Sequence, residues 1–98
     1  MDDLIALGGN IELSGFSKLD RGSMMVLKKI VGSYARKFAD RCDVEALKLR
    51  MKSIHGSKVE LHSQLVTPGR TYSSEVVDHN LFFVLDKGLK KLEHSMST

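Results

Sequence analysis

One apolar stripe near the end of the chain constrains the fold more than any other feature. Residues Asn80 to Met96 read NLFFVLDKGLKKLEHSM. Leu81, Leu85, Leu89, Leu92 and Met96 recur at helical spacing, and at about 100° per residue they fall within one narrow sector of a helix. Lys87, Lys90, Lys91 and His94 lie on the opposite side. Asn80 is a good N-cap, because its side chain accepts from a backbone N–H that the first turn leaves unpaired. A helix with one such stripe requires a sheet or another helix to cover it. It also displays its cations in a fixed array that an anionic polymer can use.

The preceding residues supply the partner. Asn10 to Gly15, NIELSG, alternates Ile11 and Leu13 with Glu12 and Ser14, a short half-buried strand closed by glycine. From Asp20 to Arg41 the period lengthens. Leu27, Ile30, Val31, Tyr34 and Phe38 gather on one side of a helical wheel, with Lys29 and Arg36 opposite and Asp20 or Ser23 as the cap. Gly32 falls on the polar side, where it lowers helix propensity without an evident reason. Ala46 to Lys52 alternates strictly, Leu47, Leu49 and Met51 against Lys48, Arg50 and Lys52. After a turn at His55-Gly56-Ser57, Val59, Leu61 and Leu65 alternate with Lys58, Glu60, His62 and Gln64. Thr67-Pro68-Gly69-Arg70 is a turn, and Tyr72 to Val77 is a further strand.

The expected fold is therefore α+β, in the order β-α-β-β-β-α. It is a four-stranded sheet with both helices on one face, since each helix has a single stripe to bury. The three consecutive strands are expected to be antiparallel, with the first joined to them through a parallel crossover. Residues 1–9 form a leader of uncertain structure, and residues 10–98 a single α+β domain. The other sheet face shows Lys48, Arg50 and Lys52 to solvent.

With 98 residues, 42% of them hydrophobic, the chain can bury a core of modest stability. It contains no apolar run long enough for a membrane span, and its acidic start does not resemble a signal peptide. The lone Cys42 has no intramolecular disulfide partner, which suits a reducing compartment, and it reads as a plain helix-end residue. These features point to the cytoplasm and away from a membrane. Eleven Lys or Arg lie between Lys18 and Lys58, against only Asp20, Asp40, Asp43 and Glu45. Such segregation is either a solvated face or an electrostatic footprint for nucleic acid.

Motifs for catalysis are missing. The chain has no phosphate loop, GxGxxG, CxxC or HExxH. His55, His62, His79 and His94 sit on separate elements without ligand spacing, and neither they nor Cys42 are expected to converge on a metal. No enzyme, cofactor or metal site is expected. Phe83, on the outward arc of the last helix among Lys87, Lys90 and His94, is either a base-stacking ring, a self-association patch or a ring folded beside the core. The KH-type GxxG loop and the aromatic strands of an RRM are absent, so RNA contact would run through phosphates and shape.

The element order, the first strand IELSG, and the last helix with Asn80-Leu81-Phe82-Phe83-Val84-Leu85-Asp86 followed by Lys90-Lys91-Leu92-Glu93 resemble the ribosome hibernation-promoting factor and ribosome-associated inhibitor family, in its short single-domain form. Its fold is of double-stranded-RNA-binding-like type. The resemblance implies a protein that binds rRNA of the small ribosomal subunit and inhibits translation or preserves idle ribosomes under stress. It implies phosphate contacts from Lys87, Lys90 and Lys91 on the last helix. The wheel adds Lys28, Lys29, Arg36 and Lys37, and the open sheet face adds Lys48, Arg50 and Lys52. No DNA partner is expected. Two other classes remain open: an interaction or homodimer module using Phe83 or the open sheet face, and a general double-stranded-RNA or tRNA binder.

Overall fold

The computed structural model describes residues 4–7 and 10–97. Five strands, β1 Leu4–Ala6, β2 Ile11–Ser14, β3 Ala46–Ile54, β4 Lys58–Thr67 and β5 Arg70–Asp78, form one sheet in the order β1-β2-β3-β4-β5. Helix α1, Arg21–Arg41, links β2 to β3, and helix α2, Leu81–Met96, follows β5. The β2–β3 pair is parallel and the other three are antiparallel. The crossover through α1 makes the parallel β2–β3 pair possible, because such a pair cannot be closed by a tight turn.

One expectation needs correction. The sheet has five strands and not four, since Leu4–Ala6, inside the supposed leader, pairs antiparallel with β2 (Leu4 opposite Ser14, Ala6 opposite Glu12). Three residues are too few for alternation to register in a sequence, and only Ile5 turns toward the core. Gly8 and Gly9 lie outside the described residues.

Both helices cover one face, as their single stripes require. The sheet contributes Leu13, Leu47, Leu49, Leu61, Leu65 and Val76 to the core. Onto these settle Leu27, Val31, Tyr34 and Phe38 from α1, and Val84, Leu85, Leu89 and Leu92 from α2. Met51 and Val59 pack against this cluster but stay partly exposed. The caps are the expected ones. The Asp20 carboxylate accepts from Ser23 N–H at 3.1 Å, and Asn80 Oδ1 accepts from the N–H groups of Phe82 and Phe83. The Ser23 side chain and backbone beside Asp20 hold its carboxyl below its ordinary value. Cys42 is the residue after α1, its N–H bonded to Phe38 O.

Two glycines fix where the layers meet. Gly15, at φ +85°, turns the chain out of β2 so that Phe16 enters the core; a Cβ there would stand 2.1 Å from the Met51 carbonyl oxygen. Gly88 sits in the middle of α2 directly over Ser63 and Ser74, which face each other across β4 and β5. A Cβ on Gly88 would lie 3.1 Å from Ser63 Oγ, and Ser74 Oγ donates to Gly88 O at 3.0 Å. Helix and sheet therefore approach closely along a strip without bulky side chains.

Leu85 is fully buried on this helix. Leu85→Ala should lower stability by about 2–5 kcal/mol, through lost transfer energy and the cavity left behind. Chemical denaturation of the two proteins measures the difference.

Candidate nucleic-acid interface

The ten cations singled out from the sequence are all exposed, but they occupy opposite sides of the sheet. Lys28, Lys29, Arg36 and Lys37 lie on α1, and Lys87, Lys90 and Lys91 on α2, all on the helical layer. Lys48, Arg50 and Lys52 project from β3 on the open face. They alternate with Leu47, Leu49 and Met51, which face the helices. The set is therefore two basic surfaces, back to back.

The helical surface is organised by a seam between α1 and α2. Tyr34 Oη donates to Asp86 Oδ1 at 3.0 Å. Seven residues further along each helix, Arg41 approaches Glu93 at 3.9 Å and donates to Ser97 Oγ at 2.9 Å. Residues seven apart lie on one side of a helix two turns along, so the helices run parallel and are bridged by two polar rungs. Lys37 stacks 5.0 Å from the centre of the Tyr34 ring, beside the first rung.

Each α2 lysine also has a local partner. Lys87 lies 5.4 Å from the centre of the Phe83 ring, Lys90 lies 3.3 Å from Asp86, and Lys91 donates to the Glu75 carbonyl at 3.4 Å. Exposed contacts of this kind are weak and exchange readily with solvent, so they steer the side chains without removing them from use. Phe83 is 48% exposed, and its ring lies beside Lys87 instead of folding into the core. Lys87, Lys90, Lys91 and His94 line one side of a groove of about 530 Å³ whose other side is β5.

The open face has a different character. Arg50 stands opposite His62 and Lys52 opposite Glu60 on β4, while His62 stands opposite Glu75 on β5. His62 Nε2 meets Glu60, and its Nδ1 lies 3.8 Å from Glu75. Sequence reading did not anticipate this trio, because cross-strand register is not visible in one strand alone. The three residues could present donor atoms to a metal. However, Arg50 and Lys52 are registered beside the trio and oppose a second positive charge there, and closed zinc sites normally have four ligands. The His55 side chain lies outside the described ones.

No protein-family model matches the chain, and no curated protein matches it at a significant level. Solved structures do. The N-terminal domain of Thermus thermophilus protein Y superposes with a TM-score of 0.65 at 18% identity, covering 89% of this chain and 91% of that one. A ribosomal subunit interface protein from Coxiella burnetii superposes with a TM-score of 0.67 at 14% identity, covering 90% of this chain and 91% of that one. The chain has the fold of these proteins. Among the described residues, no helix is long and apolar enough to cross a membrane.

Two measurements probe the arrangement. Burial, then the hydrogen bond to Asp86 and the charges of Asp86 and Glu93, push the Tyr34 phenol from an ordinary 10.0 up to about 12. The unfolded chain thus releases this proton first as pH rises. The contribution of this group to stability should be constant below about pH 10 and fall with pH from there to about 12, because the folded state holds a proton that the unfolded state has lost. Tyr34→Phe should flatten that alkaline limb in denaturation curves taken across the range. Separately, the parent protein loaded with zinc should emerge from dialysis against a chelator without stoichiometric metal.

Proposed function

We propose that this chain is a short member of the ribosome hibernation-promoting factor family, and that it binds the small ribosomal subunit through the cations of its helical layer. Bound there, it inhibits translation or preserves idle ribosomes under stress. It acts in the cytoplasm as a binding protein without catalysis. The observation that carries this reading is the exposed lysine array of α2, Lys87, Lys90 and Lys91, on a fold shared with a ribosomal subunit interface protein.

The chemistry follows from the array. Ammonium groups on a rigid helix are point charges with freely rotating donors, suited to phosphates spaced along a folded RNA and indifferent to base sequence. Lys28, Lys29, Arg36 and Lys37 widen the field on the same layer, and the parallel packing of the helices holds the two cationic rows in fixed register. Asp86 and Glu93 lie along the seam between them, Asp86 paired with Lys90 and Glu93 with Arg41, so the two cationic rows meet across a neutralised line. Lys48, Arg50 and Lys52 extend the positive field to the far side and steer encounter.

Each phosphate neutralised releases counterions, so affinity should fall by about 0.7–0.9 log units per contact for every tenfold rise in salt. Changing Lys87, Lys90 and Lys91 together to Ala should weaken co-sedimentation with small subunits and reduce that slope by about two to three. Folding should be nearly unchanged, since exposed contacts of this kind are worth a few tenths of a kcal/mol to about 1 kcal/mol each. If the triple variant co-sediments like the parent across the salt series, the α2 face is only solvated. The exposed Phe83 would then mark the chain as an interaction or homodimer module.

A further inference from the structure

The two edges of the sheet are unequal. At one end β1 has three residues, and at the other β5 has nine with no strand beyond it among the described residues. Antiparallel pairing directs the N–H and C=O of alternate residues toward the partner strand and those of the others away from it. Lys91 reaches the Glu75 carbonyl from outside, which shows that Glu75 is one of the outward residues. The unbroken register along β4 then makes Thr71, Ser73 and Val77 outward as well. These outward donors and acceptors, other than the Glu75 carbonyl that Lys91 covers, face no strand among the described residues, and Ser73, Ser74 and Glu75 line the groove beside the α2 lysines.

We infer that this groove is a β-augmentation site for an extended acidic peptide segment, which adds as a sixth strand beside β5 and places alternate carboxylates under Lys87 and Lys91. The spacing agrees. Lys87 and Lys91 are four residues apart on α2, about 6 Å along its axis, and alternate residues of a strand recur at about 6.6–6.8 Å. Side chains on one face of an added strand therefore step from one lysine to the next. Those on the other face fall beside Ser73, Glu75 and Val77 on the open side of the sheet, where Val77 presents exposed apolar surface and small or β-branched residues suit.

The same features select this occupant over two others. A second copy joined edge to edge through β5 would bring two α2 lysine rows together, and like charges oppose it. An RNA strand would satisfy the ammonium groups, but its phosphates only accept hydrogen bonds and would leave the outward carbonyls unpaired. A polypeptide strand supplies donors and acceptors at the required spacing. Lys91 now covers one of those carbonyls, in the way that lysines commonly guard an open edge, and an incoming carboxylate would draw it upward and expose the ladder.

The test uses the full chain and a fluorescein-labelled peptide of roughly ten residues alternating glutamate with threonine, long enough to span the open edge. Two further versions carry N-methyl groups on alternate residues, one on the glutamates and one on the threonines. Only one of these sets has its N–H groups facing β5. By fluorescence anisotropy the parent peptide should bind, one methylated version should bind at least about tenfold more weakly, and the other should bind within about twofold of the parent. Amide resonances of Thr71, Ser73, Glu75 and Val77 should shift on titration, while those of β1 stay in place. If both methylated versions bind like the parent, or if no acidic peptide binds, the inference is overturned. Concentration-dependent shifts of the β5 amides without peptide would assign the edge to a second copy, and shifts produced by an RNA duplex alone would assign the groove to phosphate. No arm contains ribosomes, so the result stands apart from the ribosomal reading.

Discussion

The close seating of α2 on β4 and β5 governs the rest of the molecule. Gly88 lets the helix descend until its backbone carbonyl accepts from Ser74, and the serine pair beneath leaves room for it. A mid-helix glycine sacrifices roughly 1 kcal/mol of helix propensity relative to alanine. Burial of Val84, Leu85, Leu89 and Leu92 around the contact far outweighs that loss. The arrangement leaves Ser63 Oγ buried without a hydrogen-bond partner, a small penalty accepted for the fit. Because the stripe is pinned, the opposite arc of α2 has no freedom of rotation. The lysines are thereby held at a set height above the edge of β5.

Much of this was legible in the sequence. The stripes of both helices, both caps, the strict alternation of β3 and the Pro68-Gly69 turn each carry their own period or backbone requirement, and each formed as expected. The exposed position of Phe83 followed from the same wheel. Strand β1 was not legible, because three residues give no period and its identity depends on what lies beside it. Gly32 and Gly88 make the same point. Both are glycines inside helices, yet a side chain on Gly32 would meet open space while one on Gly88 would press on the sheet. Only the packed structure distinguishes them.

The candidate site divides in the same way. Which residues would be cationic and exposed could be read from the wheel and from the pleat. Their grouping could not, since it rests on contacts between elements far apart in sequence. Asp86 and Glu93 are seven apart, as are Tyr34 and Arg41, and this matched spacing was the one available hint that the helices would bridge. The trio of Glu60, His62 and Glu75 left no such hint, because it depends on which residue of β5 falls opposite His62.

Neighbours in the sheet are also neighbours along the chain, from β1 through to β5. Every pairing but one is closed by a short connection, so little chain entropy is lost in bringing the strands together. The exception is the β2–β3 pair, which must wait for the whole of α1 to span the gap. The C-terminal half, with its meander and covering helix, can therefore condense as a local unit, while the N-terminal half gains its partner only afterwards. The native contacts are unequal in the same sense, since β1 is a three-residue edge paired on one side while β4 is paired along its length on both. Amides of β1 and β2 should exchange with solvent through partial opening, and those of β4 only through global unfolding.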